Sequence, residues 1–132
     1  MRGQQRNLFD RLMEEVLDDL PPELHGLLEE VPLVVDDEPS DEVLDDMGGR
    51  GDKDYLCGLY TGIPLTRRSV EHSGHLPEVI TIFRRGILAA AADRHGRLTD
   101  GELRRQIRLT ILHEIGHHFG MTEEDLRRYG YG

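Results

Sequence analysis

The chain has 132 residues, enough for one domain, and its 16 basic and 26 acidic side chains give a net charge of −10. Such an acidic surface repels phosphates and argues against nucleic acid as partner. No apolar run reaches the roughly 18 residues of a membrane span, and the single cysteine, Cys57, excludes an internal disulfide framework.

The first ten residues are polar and lack the apolar core of a signal peptide. A soluble cytoplasmic domain spanning 1–132 is the expectation. Charge is uneven along it: residues 1–60 hold 5 basic and 17 acidic side chains, residues 61–132 hold 11 and 9.

In chain order, Leu8, Leu12, Val16 and Leu20 recur every four residues beside Phe9, Met13 and Leu17, the stripe of an amphipathic helix. Pro21 and Pro22 end it and open a second, short helix over 23–30, with Leu24, Leu27 and Leu28 expected to be buried. Residues 1–30 thus form an N-terminal helical segment. Val31–Val35 reads as a strand, with Pro32 marking an edge or a strand start. The segment 36–54 carries nine carboxylates with three glycines and reads as a solvated acidic loop, with a helical turn around 41–46. It solubilises the chain or serves as a docking face for a basic partner.

Tyr55–Tyr60 forms a short strand in which Gly58 marks a close backbone approach, and Gly62 and Pro64 then turn the chain. Residues 67–76 form a polar loop containing His72 and His75. Glu78–Phe83 has the strongest strand pattern in the chain. A helix over 87–93 follows, rich in alanine so that neighbours can come close, and Gly96 ends it. Thr99 with Glu102 has the pattern of a capping box that starts the next helix. Leu103, Ile107, Thr110 and Ile111 form its inward face, and Arg104, Arg105 and Arg108 lie on another. Beyond Leu109 the helix is apolar nearly all round, so it runs into the middle of the molecule. Gly120 ends it, and Thr122 caps a last short helix over 123–128.

That buried helix carries His113-Glu114-Ile115-Gly116-His117, the pattern H-E-x-x-H. At about 100° per residue, His113 and His117 differ by about 40° in azimuth and lie one turn apart. Two neutral imidazoles on one stripe can bind one zinc ion. Glu114 lies about 60° from His117, where its carboxylate reaches a metal-activated water rather than the metal, the position of a general base. Gly120 follows three residues after His117 and Glu123 three after that, which extends the match to H-E-x-x-H-x-x-G-x-x-E. Gly120 can turn the chain sharply enough to bring a residue beyond it back to the metal. Glu123 has the right offset for the third ligand; Glu124, Asp125, His72 and His75 are alternatives.

H-E-x-x-H-x-x-G-x-x-E resembles the motif of zincin metallopeptidases. The chain as a whole resembles a small bacterial family of minimal zincin-like metallopeptidases, through Gly58–Thr66, Val79–Arg85 and Leu112–Leu126. The resemblance covers roughly residues 30–130. Only nine residues follow Glu123, which leaves no room for the Met-turn of metzincins or the distant second glutamate helix of thermolysin-like enzymes. The resemblance implies an α+β fold, a small mixed sheet of three to four strands packed on the motif helix and other helices. It also implies that Glu78–Phe83 lines the cleft and pairs with extended substrate.

The function so read is a zinc-dependent peptidase or related amide hydrolase acting on a peptide or protein. His113, His117 and Glu123 hold Zn²⁺ and Glu114 is the base. The competing reading is a non-catalytic binding module of zincin shape, with a structural metal site and an acidic partner-binding face. Of the remaining side chains, His118 packs at the helix end or supports a ligand, and Tyr60 is a half-buried core tyrosine or an oxyanion donor. Cys57 is a buried small hydrophobe. The pairs Arg84-Arg85 and Arg67-Arg68 are solvated or bind a substrate carboxylate, and His25 and His95 belong to the surface.

Overall fold

The computed structural model describes residues 3–46, 56–61 and 78–129. Its elements are α1 (Gly3–Asp19), α2 (Pro22–Glu30), β1 (Leu33–Asp36), α3 (Asp41–Asp46), β2 (Gly58–Thr61), β3 (Val79–Phe83), α4 (Arg84–Ala91), α5 (Asp100–Phe119) and α6 (Glu123–Arg127). This is the α+β architecture expected. Among the described residues no helix is long and apolar enough to cross a membrane.

The sheet has three strands in the order β1-β3-β2. β1 runs parallel to β3, with Leu33 opposite Ile80 and Val35 opposite Ile82, and β2 runs antiparallel to it, with Gly58 opposite Ile82 and Tyr60 opposite Ile80. Pro32 lies just ahead of edge strand β1, where its missing N–H removes no ladder bond and its carbonyl still accepts from Ile80 N–H at 3.0 Å. The expectation that β3 pairs with substrate is overturned here. β3 is the central strand, and both of its edges are already bonded within the sheet. Ile80 and Ile82 are fully buried on one of its faces, while Val79 and Thr81 are half-buried on the other.

α5 is the axis of the molecule and packs against α1, α4, β2 and β3. Leu103, Ile107, Ile111, Leu112 and Ile115 are fully buried there, against Phe9, Leu12, Leu24, Ile80, Ile82 and Ile87. Thr99 Oγ1 accepts from Glu102 N–H at 3.1 Å at its start, and Gly120, at φ +65°, closes its end.

Several boundaries differ from expectation. Of the α2 leucines only Leu24 is buried; Leu27 and Leu28 are half-buried, because a helix this short turns a single residue fully inward. α4 begins directly off β3 at Arg84 and ends at Ala91, and Gly96 (φ +77°) belongs to the following turn. The close approach of α4 occurs at Gly86, where a Cβ would stand 2.1 Å from the Leu56 carbonyl oxygen, while Ala89 and Ala90 are exposed.

The acidic segment after β1 is not simply solvated. Asp37 binds Arg6 and Arg84, and Glu38 binds Arg85. Arg84, only 14 % exposed, also pairs with Asp10 at 2.9 Å and stacks over the Phe9 ring. Arg84 is therefore largely withdrawn from solvent, whereas Arg85, though ion-paired, stays half exposed as expected. Residues 47–55, 62–77 and 130–132, among them His72, His75 and Arg67-Arg68, lie outside the described residues.

Candidate metal centre

The motif sits in the last two turns of α5, where the helix passes beneath β2. Helical spacing brings the three motif side chains together: ligand atoms of His113, Glu114 and His117 all lie within 4.8 Å of one another, the one such group among the described residues. The two imidazole rings stand 4.2 Å apart, tilted by 59°. His117, whose side chain is 59 % exposed, has room to turn toward an ion shared with His113. The donor set, two imidazoles with a carboxylate beside them, suits zinc.

The electrostatics favour ligation. Burial and the neighbouring His117 hold the His113 pKa below the usual histidine value. Its imidazole is therefore neutral at neutral pH, as a metal ligand must be.

Glu114 is only 5 % exposed, unusual for a carboxylate. Burial raises its pKa above the ordinary carboxylate value, against the opposing pull of His117 and of the Tyr60 backbone N–H that donates to it. Its Oε1 lies 3.9 Å from His117 Nδ1, and the Tyr60 N–H anchors the carboxylate beside the two imidazoles. Gly58 makes this possible, since a Cβ there would stand 3.0 Å from both Glu114 Cγ and Thr110 Cγ2.

The turn after α5 is built as its glycine implies. Met121 N–H donates to the Gly116 carbonyl at 2.9 Å, and Thr122 and Asp125 form a reciprocal capping box at the start of α6. Asp125, one of the alternative third ligands, has both oxygens engaged, with Thr122 N–H and Arg128. Its function is the cap. Glu123 occupies the first position of α6, and its side chain lies outside those described. Gly116 faces the Leu126 side chain, where a Cβ would meet Cδ1 at 3.0 Å, so α6 packs directly behind the motif.

His118 points away from the cluster. Its ring packs on Tyr60 and edge-on to Phe119, with Nε2 3.4 Å from Glu78 Oε2. This is the packed helix-end histidine. Tyr60 is half-buried and hydrogen-bonds Glu78 through its side chain. Burial raises the Cys57 thiol pKa, leaving it neutral and unreactive.

The sequence reading missed two features. One is the Tyr60 backbone N–H, which has no side-chain signature. The other is a cleft of about 470 Å³ that runs from Glu114 and His113 back along α5, past Thr110 and Leu109, to Gln106 and Arg105, with Cys57 and Gly58 on its other wall. The helical stripe 106–109–110–113 was its available signal.

The family described as zincin-like metallopeptidase matches residues 11–131. No curated protein matches the chain.

Proposed function

The chain belongs to the zincin-like metallopeptidase family, and from that premise we propose that it is a zinc-dependent hydrolase of peptide bonds. His113 and His117 hold the metal, Glu123 completes the protein ligand set from the turn after Gly120, and Glu114 is the general base. Peptide or protein is the substrate, and the cytoplasm is the compartment proposed. The observation that carries this reading is the carboxylate of Glu114, buried beside two imidazoles and anchored by a backbone N–H. A site that merely held metal would not need a buried carboxylate outside the ligand positions.

Zinc at such a site supplies Lewis acidity toward a carbonyl oxygen and toward water. The residues supply the rest. His113 presents a neutral nitrogen lone pair. Glu114 accepts a proton from the attacking water and delivers it to the departing amine. Its raised pKa suits both halves of that exchange, because a carboxylate shifted toward neutrality is a better base and remains protonated long enough to act as acid. The Tyr60 N–H fixes where this happens.

Metal analysis with a peptide hydrolysis assay tests the proposal. The wild type is expected to take up about one zinc per chain and His113→Ala to take up none. A wild type that fails to bind zinc, or a Glu114→Gln protein that still hydrolyses peptide at the wild-type rate, would sink it.

A further inference from the structure

The cleft beside His113 has two polar ends and an apolar middle. At one end are His113 and Glu114, at the other Gln106 and Arg105. Gln106 and His113 are seven residues apart, so they lie on nearly the same stripe of α5 and about 10 Å apart along its axis. Between them the Thr110 hydroxyl turns back to the Gln106 carbonyl at 2.9 Å, and its Cγ2 faces the Gly58 side of the cleft. With Leu109 this makes an apolar floor.

Arg105 differs from Arg84, Arg85 and Arg104, which each bind carboxylates on distant elements, at 2.6 to 3.3 Å. Among the described residues Arg105 has only a long 4.0 Å contact to Glu102 on its own helix, and both side chains are 59 % exposed. A pair of that kind contributes little and is readily exchanged for a better partner. A guanidinium beside a carboxamide, at the end of an apolar groove, matches a carboxylate.

Resting on the hydrolase reading, we propose that this cleft selects peptides with an apolar residue next to the cleaved bond and a carboxylate within about three residues of it, bound by Arg105 and Gln106. The span follows from the cleft: an extended chain covers about 3.3–3.6 Å per residue, so about 10 Å holds three. The role expected of Arg84-Arg85 as a substrate-carboxylate site passes to Arg105.

The test is calorimetric titration of the Glu114→Gln protein, which keeps peptide intact, both zinc-loaded and metal-free. Three probes are used: acetyl-Ala-Leu-Ala-Leu-Ala as the free acid, the same peptide as its C-terminal amide, and an amide with aspartate in last place. The acid or the aspartyl peptide is expected to bind about tenfold tighter than the plain amide, and which of the two does so identifies chain end or side chain as the source. In the additional presence of Arg105→Ala the preference is expected to fall below about twofold. Arg105→Lys should keep part of it, because an ammonium lacks the bidentate fork. Equal affinities with Arg105 intact, a preference that survives Arg105→Ala, or no binding of any probe would overturn the proposal. Absence of zinc uptake overturns the hydrolase reading instead, and the metal-free titration still decides the role of Arg105.

Discussion

Glu114 is the residue on which site and stability meet. Its burial opposes ionisation, so at neutral pH the metal-free fold bears the cost of a desolvated carboxylate. Its folded pKa lies above the unfolded value. The cost is therefore full above the folded pKa and disappears as pH falls below the unfolded one. Metal-free Glu114→Gln is expected to melt at a higher temperature than metal-free wild type at pH 7, with the gap closing on acidification; equal melting at pH 7 would contradict the assigned burial. The same substitution should retain zinc and reduce hydrolysis by about 10²-fold or more. Gly58→Ala tests the floor of the site. Its Cβ would press on Glu114 Cγ and Thr110 Cγ2, so a loss of about 1–3 kcal/mol in urea unfolding is expected, with a lower kcat. The two histidines and Glu114 were legible as chemistry because helical periodicity alone places them together. Tyr60 was not, because a backbone N–H leaves no trace in residue identity.

At the scale of elements, α5 was the most legible part of the molecule. Its cap, inward face and glycine stop all stand where the pattern puts them. Thr99→Ala should cost about 1 kcal/mol by removing the cap. Gly120→Ala should cost about 1–2 kcal/mol, since φ +65° strains any side chain. Because α6 starts just beyond that turn and packs on Gly116, Gly120→Ala should also weaken zinc binding, whereas Thr99→Ala, a whole helix away, should not. Zinc titration of the two variants separates these outcomes. The strands were legible as strands, but not their order. Nothing local distinguishes a central strand from an edge strand that meets substrate, and β3 proved central because β1 returns parallel to it on one side while β2 folds back on the other.

For the molecule as a whole, the uneven charge acquires a meaning that composition could not supply. Acids from the first third reach across to arginines of the last half: Asp10 and Asp37 to Arg84, Glu38 to Arg85, and Glu15 to Arg104. The acidic and basic parts thus serve partly as each other's counterions. The Arg6 guanidinium hydrogen-bonded to Asp37 holds that carboxyl below the usual carboxylate range. Its contribution to stability is therefore complete above about pH 4, the unfolded value, and lost as pH falls through the lower folded value. Asp37→Asn should lower stability at neutral pH and leave it little changed near pH 2, so the acid limb flattens by as much as the neutral plateau falls. Unfolding followed from pH 7 to pH 2 checks this.

What the sequence determined by itself is whatever depends on near neighbours along the chain. That covers the helix holding His113, Glu114 and His117 on one side, its caps and the close approach at Gly58, while the α+β class came through the family resemblance. Helical and strand geometry are local, so spacing suffices. Tertiary structure alone decided that Glu114 is buried and anchored by β2, that β3 is closed to substrate, and that Arg84 and Arg85 are engaged while Arg105 opens onto a cleft. Those outcomes depend on which distant groups meet, and burial and pairing are properties of the meeting rather than of either partner.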